Sequence, residues 1–407
     1  MSRLVIVGSG GEPYRRYAME ALAGRYPLSL VLTAPATWQA GYVDAVETVP
    51  PEDPGALAEA IQRLIGDDSS AGVLTWDELV LEACAEAASK LHLPSMSPEA
   101  TAICRDKLAT RQRLEEAGLG SARFRHVRSL EGALDAAAEL GYPVVLKPRS
   151  LAGSAGVVLA HDQADVRVCY ATAAGAMYST LPIRSGLLVE EFLTGPEFSV
   201  DALTWAGKTT IVQVTRKEVG FPPYFEEVGH VTGDFSGEQW YDDAAQLAID
   251  ANGALGINCG FTHTEIKLTP SGPAVVEVNG RLGGDLIPLL GKLSSGVDQV
   301  AAAAAVAMGR TPDLTPTHSV MARVEFVYPD EDCVVDNIDV EAARAVPGVV
   351  DVIPLAAPGD VVRLPPRAVL GRFAAILTTG ETEEVCAESA RLARSALVVQ
   401  VSPAGPG

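Results

Sequence analysis

The sequence predicts a three-domain protein of α/β and α+β class: an N-terminal α/β domain over 1–98, a central α+β domain over 99–315 and a small C-terminal α/β cap over 316–407. Three observations carry this. A strand, a glycine turn and a helix follow one another from Leu4 to about Leu22. Two strand-like runs joined by a turn, Gly260 to Asp285, set acidic side chains against each other. A Pro- and Thr-rich linker, Thr311–Thr317, precedes a last set of strands and a final helix, Thr382–Ala396. A chain of 407 residues also exceeds one ordinary core.

The bulk numbers bound the function. Hydrophobic content of 48% and charged content of 20% describe a folded globular chain. A net charge of −21 argues against nucleic-acid or anionic-membrane partners, which need a basic face. Cys84, Cys104, Cys169, Cys259, Cys333 and Cys386 form no C-x-x-C pair. Reduced thiols, a cytoplasmic location and no zinc site are expected. The start, MSRLVIVGSGGEPY, lacks the pattern of a signal peptide, and no apolar run is long enough for a bilayer.

Taken in order, Leu4–Val7 is a buried-type strand and Gly8-Ser9-Gly10-Gly11 the turn after it. Pro13 stands where a dinucleotide fingerprint has its third glycine, so the unit reads as a structural, Rossmann-like βα turn. Leu28–Thr33 and Ala71–Thr75 continue the domain. Ser97 with Pro98 opens a helix as N-cap and first helical residue. PVVLKP at 143–148 is a strand ending in Lys147 and a small flexible loop, Ser150 to Gly156. Backbone N–H groups around Gly153, Ser154 and Gly156 can close over phosphates, with Lys147 reaching the same groups; an ordinary exposed loop with a snorkelling lysine is the alternative.

Leu187–Leu193 is a strand that stops at Thr-Gly-Pro, leaving backbone groups free for an adenine edge, with Glu197 nearby for a ribose. Phe198–Trp205 and Thr209–Thr215 form a hairpin. Gly220–Phe235 reads as irregular and holds His230, structural or part of a site. Glu238–Leu255 is a helix. In the hairpin that follows, pairing Lys267 with Val275 sets Glu265 opposite Glu277. Facing carboxylates repel unless a cation lies between them, and a hard divalent ion held by Glu265, Glu277 and the Asn279 amide supplies it. Glu277, Asn279 and Arg281 share one strand face, with Val276 and Val278 on the other. Arg281 then offers a planar fork to a carboxylate or phosphate; the alternative is a structural salt bridge to Asp285 or a glutamate.

Five blocks in series carry a family resemblance: Asp106-Lys107, PVVLKPRSLAGSAGV, VEEFLTGPEFSVD, EEVGHV and GFTHTEIKLTPSGPAVVEVNGRLGGD. Together they resemble the ATP-grasp superfamily, and within it the L-amino acid ligases of the bacilysin-synthetase and carnosine-synthase kind. The resemblance covers the chain to about Val327 and fits the cap more loosely. It implies a three-domain ATP-grasp fold with a Rossmann-like first domain. ATP would lie between two α+β subdomains, with Lys107 and Lys147 on its phosphates and Ser150–Gly156 as a mobile lid. Glu190 and the backbone at Phe192–Leu193 would hold adenine and Glu197 the ribose. Glu265, Glu277 and Asn279 would hold magnesium, with manganese as the alternative ion. Arg281 and His230 would stabilise the reacting group. The implied activity joins a small-molecule carboxylate to an amine through an acyl phosphate. A carboxylase on the same scaffold, ligation to a carrier-protein thiol and a non-enzymatic ATP sensor are its rivals. A homodimer stays open.

Overall fold

The computed structural model describes residues 2–50 and 53–405. The first unit is a parallel sheet in the order Ala45–Thr48, Leu28–Leu32, Leu4–Val7, Gly72–Leu74. Leu4–Val7 and Leu28–Leu32 are buried along their whole length, which is why they read as apolar runs, the second interrupted only by the buried Ser29. Gly8 and Gly10 take positive φ and turn the chain into the helix Glu12–Ala23. A Cβ on Gly8 would lie 2.7 Å from the Asp77 carboxylate.

Ser97 caps the helix Pro98–Cys104 through its side chain, with proline in the first turn, as expected. Asp106 caps the next helix, Lys107–Glu116, and so fixes Lys107 at its first position. A four-stranded antiparallel sheet follows, ordered Phe124–Val127, Leu187–Glu191, Val144–Pro148, Val158–Ala160.

The largest sheet has eight antiparallel strands. Their order is Gly272–Asn279, Gly260–Thr269, Glu197–Trp205, Lys208–Gly220, Glu226–Thr232, Met321–Val327, Ala374–Gly380, Val349–Pro354. It therefore runs on through three strands of the C-terminal region, which also carries a three-stranded sheet and the helix Glu383–Ala396. Phe198, Val200, Val214, Ile266, Val275 and Val278 pack against Ala244, Leu247, Ala248 and Ala251 of the helix Tyr241–Ala254. Each fully buried valine, isoleucine or phenylalanine there contributes about 1.5–3 kcal/mol. The alternate residues of the same strands are left to face the other way, and these are the polar ones.

Two expectations are corrected. Glu226–Thr232 is a strand, paired with Lys208–Gly220 around a bulge at Val228 and, from Gly229 on, also with Met321–Val327, where an irregular stretch was expected. Mostly buried apart from Glu227 and Val228, it lacks the period-two pattern that would reveal it. In the hairpin Glu265 does face Glu277, but Lys267 pairs with Ala274 instead of Val275. A β-bulge at Val276 absorbs one residue, and Val276 joins Glu277 on the open side. Arg111 explains the bulge: its guanidinium donates to the carbonyls of both Val275, at 3.0 Å, and Val276, at 2.8 Å.

Candidate active site

One cleft of about 1240 Å³ is bounded by the N-terminal unit, the four- and eight-stranded antiparallel sheets and Leu370 of the C-terminal region. It brings together Lys107, Lys147, Gly153, Ser154, Glu190, Phe192, Leu193, Glu197, Glu265, Glu277, Asn279 and Arg281. Three sequence-predicted residues do not line it. Ser150 is turned away, its hydroxyl donating to the Pro182 carbonyl and accepting from the Arg184 N–H. Gly156 is a packing position, where a Cβ would meet Ala176 at 2.5 Å. His230 is fully buried behind the wall, its Nε2 3.1 Å from Glu227 and 3.6 Å from Asp285, without an aligned hydrogen bond. Burial works against its charged form, but these two carboxylates outweigh it and raise its pKa.

Every cation expected at phosphates faces a carboxylate. Lys107 Nζ lies 3.0 Å from Glu277 and donates to the Leu151 carbonyl at 2.7 Å. Lys147 Nζ lies 2.7 Å from Glu190. Glu190 is also gripped bidentately by Arg111, at 2.7 and 2.9 Å. Burial pushes its carboxyl up, yet Arg111 and Lys147 hold it at about 2. A carboxylate so engaged acts as a counter-charge to Arg111 and Lys147 while still lining the cleft. The Phe192 N–H is likewise spent on the Pro143 carbonyl at 3.3 Å, while the Leu193 N–H takes no partner among the described residues. Lys267 stands 5.4 Å over the Phe192 ring and 3.5 Å from Glu197.

Sequence reasoning missed Lys217. It is buried in the strand Lys208–Gly220, and its ammonium meets Glu197 at 3.0 Å, Glu227 at 2.9 Å and Glu265 at 2.9 Å. Burial disfavours its charge, but the three carboxylates together raise its pKa well above the ordinary value. Lys107 on Glu277 and Lys217 on Glu265 thus supply the positive charge that the facing carboxylates require. Hard oxygen donors from Glu265, Glu277 and the buried Asn279 on adjoining strands fit a divalent ion. His263 backs this group, its Nδ1 2.8 Å from the buried Asp201 and its Nε2 3.6 Å from Glu265.

Arg281 pairs with Glu78 of the N-terminal unit, and not with Asp285 or a glutamate of its own sheet. Its Nε donates to Glu78 and its Nη1 to the Leu282 carbonyl, leaving Nη2 without a partner among the described residues. Asp285 belongs instead to Arg372, which grips it at 2.9 and 2.7 Å.

These pairs set a pH window for stability. Glu78 and Glu190 fall from an ordinary 4.5 to about 2, so their contribution is present above pH 4.5 and lost as pH falls through 2. His263 rises from 6.5 to about 9 because Asp201 and Glu265 overcome burial, so its contribution is present below 6.5 and lost as pH rises through 9. Urea midpoints are therefore expected to plateau between pH 4.5 and 6.5 and fall on both sides, with Glu190→Gln flattening the acid limb; an unchanged acid limb in that variant would count against the assignment.

Two stretches of the chain match known domain families. Residues 140–289 match the family model of the ATP-grasp domain. Residues 325–402 match that of L-amino acid ligase C-terminal domain 2. The chain carries an ATP-grasp domain. Protein y4rH of Sinorhizobium fredii is 30% identical over 75% of this chain and 63% of its own length. The alanine–anticapsin ligase of Bacillus subtilis is 27% identical over 57% of this chain and 52% of its own. The chain thus spans less than two thirds of either curated relative. The crystal structure of an L-amino acid ligase from Bacillus licheniformis superposes with a TM-score of 0.82, covering 99% of each chain at 23% identity, and so shares the fold. Among the described residues no helix is long and apolar enough to cross a membrane, and all six cysteines are free.

Proposed function

We propose that this ATP-grasp protein is a carboxylate–amine ligase. It would activate an amino acid or similar carboxylate with ATP as an acyl phosphate and pass the acyl group to an amine, releasing ADP and phosphate. The observation that carries the reading is one cleft holding two buried lysines, two facing carboxylates with an amide beside them, and an arginine with a free amino edge.

Each part has a task. The Leu193 backbone offers an edge for the base, and Glu197 lies along the wall for a ribose. Lys107 and Lys147 exchange their carboxylate partners for phosphate oxygens. A divalent ion at Glu265, Glu277 and Asn279 would neutralise charge during phosphoryl transfer. The Nη2 edge of Arg281 holds the anionic carboxylate and then the tetrahedral oxyanion. Gly153 and Ser154, both at positive φ, let the loop lie over the phosphates and keep water from a labile acyl phosphate.

Purified protein incubated with a matrix of amino acids and amines is expected to release ADP and phosphate only when both substrates are present. AMP and pyrophosphate as products would overturn the acyl phosphate. ATP cleavage that requires bicarbonate and no amine would make the protein a carboxylase instead.

A further inference from the structure

We propose that Glu78 is a positioning residue that couples Arg281 to the base of the glycine loop. The proposal rests on the roles of Arg281 and the loop given under Proposed function, and it assigns a link between them that those roles do not contain.

Glu78 stands in the segment Thr75–Leu79, which is fixed to the ends of the N-terminal strands. The Thr75 hydroxyl donates to the Val7 carbonyl at 2.7 Å, and the Trp76 indole N–H to the Ser9 carbonyl at 3.0 Å. From this support each oxygen of Glu78 reaches a different arginine. Oε2 accepts from Arg281 Nε, and Oε1 accepts from Arg105 Nη1. Arg105 is buried, and its Nη2 donates to the Ser150 carbonyl at 3.2 Å. An unbroken path thus runs from the reacting-group arginine through Glu78 and Arg105 to the first residue of the loop.

The neighbouring residue makes a second connection. Leu79 packs with Leu151 and Ala155 of the loop in a small apolar cluster that also takes in Val369. The two contacts make the N-terminal segment a common support for the clamp and the lid. Burial would raise the Glu78 carboxyl, but Arg281 and Arg105 hold it at about 2, so it is charged throughout the working range. Because Glu78 occupies Nε and the Leu282 carbonyl occupies Nη1, the planar guanidinium can turn only its Nη2 edge to the cleft. A loop that lifts at Ser150 releases Arg105, frees one oxygen of Glu78 and loosens the orientation of Arg281. Arg281 is then held rigidly only while the loop base is seated.

Hydrogen exchange of the full chain, free of nucleotide, tests the link. Peptides over 149–157 and 279–286 are compared in wild type, Glu78→Gln and Arg105→Gln, with 144–146 as the control for an intact fold. Glu78→Gln should speed exchange by about threefold or more in both segments. Arg105→Gln leaves the Glu78–Arg281 pair in place, yet it should speed exchange at 279–286 as well as at the loop. Unchanged exchange at 279–286 in Arg105→Gln would overturn the coupling, as would an unaffected loop in Glu78→Gln. If Glu78→Gln fails to fold, the Arg105→Gln comparison still decides. In amine-dependent phosphate release, Glu78→Gln should lower kcat with the KM for ATP within about twofold of wild type. A raised KM for ATP at full kcat would speak for a nucleotide contact and against positioning. Wild-type protein without amine-dependent turnover would remove the ligase reading, while the exchange data would still judge the coupling.

Discussion

Arg372→Met is expected to destabilise the protein by about 3–5 kcal/mol, the cost of leaving one member of a buried ion pair uncompensated. Arg372 has no exposed side-chain surface and grips Asp285 at 2.7 and 2.9 Å. Its remaining donors reach the Glu227 carbonyl at 2.9 Å, the Tyr328 hydroxyl at 2.9 Å and the Tyr14 hydroxyl at 3.2 Å. The guanidinium carbon also sits 3.6 Å over the Phe326 ring. One side chain of the C-terminal region therefore fastens the N-terminal helix, the central strand Glu226–Thr232 and the loop after Arg281. Methionine keeps the packing volume but strands the Asp285 carboxylate beside Glu227. The loss is read as a lower urea midpoint at unchanged slope. Adding Asp285→Asn, which tolerates the positive φ of this position, should recover much of it, because removing both charges also removes the uncompensated one. A double variant as unstable as the single would show that the hydrogen bonds of Arg372, and not its charge, hold the three regions together.

The second large effect is catalytic. Arg281→Lys is expected to cost about 1.5–3 kcal/mol of transition-state stabilisation, roughly a 10- to 150-fold fall, mainly in kcat. Lysine can keep an ion pair with Glu78, but it cannot hold Glu78 with one edge and an anion with the other, which the fork of Arg281 is placed to do. The melting temperature should therefore change little. The reverse pattern, a lower melting temperature with kcat preserved in the folded fraction, would make Arg281 a structural residue and remove it from the reacting group.

The local features of this chain were legible because local chemistry decides them. Leu4–Val7, the Ser97-Pro98 helix start and the facing of Glu265 and Glu277 follow from apolar runs, capping and period-two alternation, which act over a few residues. The grouping of Glu265, Glu277 and Asn279 was visible for the same reason, since all three lie on one hairpin. Which charges neutralise one another was decided only by tertiary structure. Glu78 and Arg281 are 203 residues apart, Arg111 and Glu190 79, and Asp285 and Arg372 87. Nothing in local spacing links them, and partner choice depends on which buried carboxylate lies within reach once the sheets have packed. That is why the pairing of Glu190 with Arg111 and Lys147 and the place of Lys217 went unseen. The bulge at Val276 was hidden likewise, because the side chain that bonds its carbonyls, Arg111, comes from a helix 165 residues earlier. The sequence by itself determined the elements and the hairpin that holds the acidic residues. Folding determined their counter-charges, since burying a charge in a low-dielectric interior is tolerable only opposite a partner that tertiary packing brings to it.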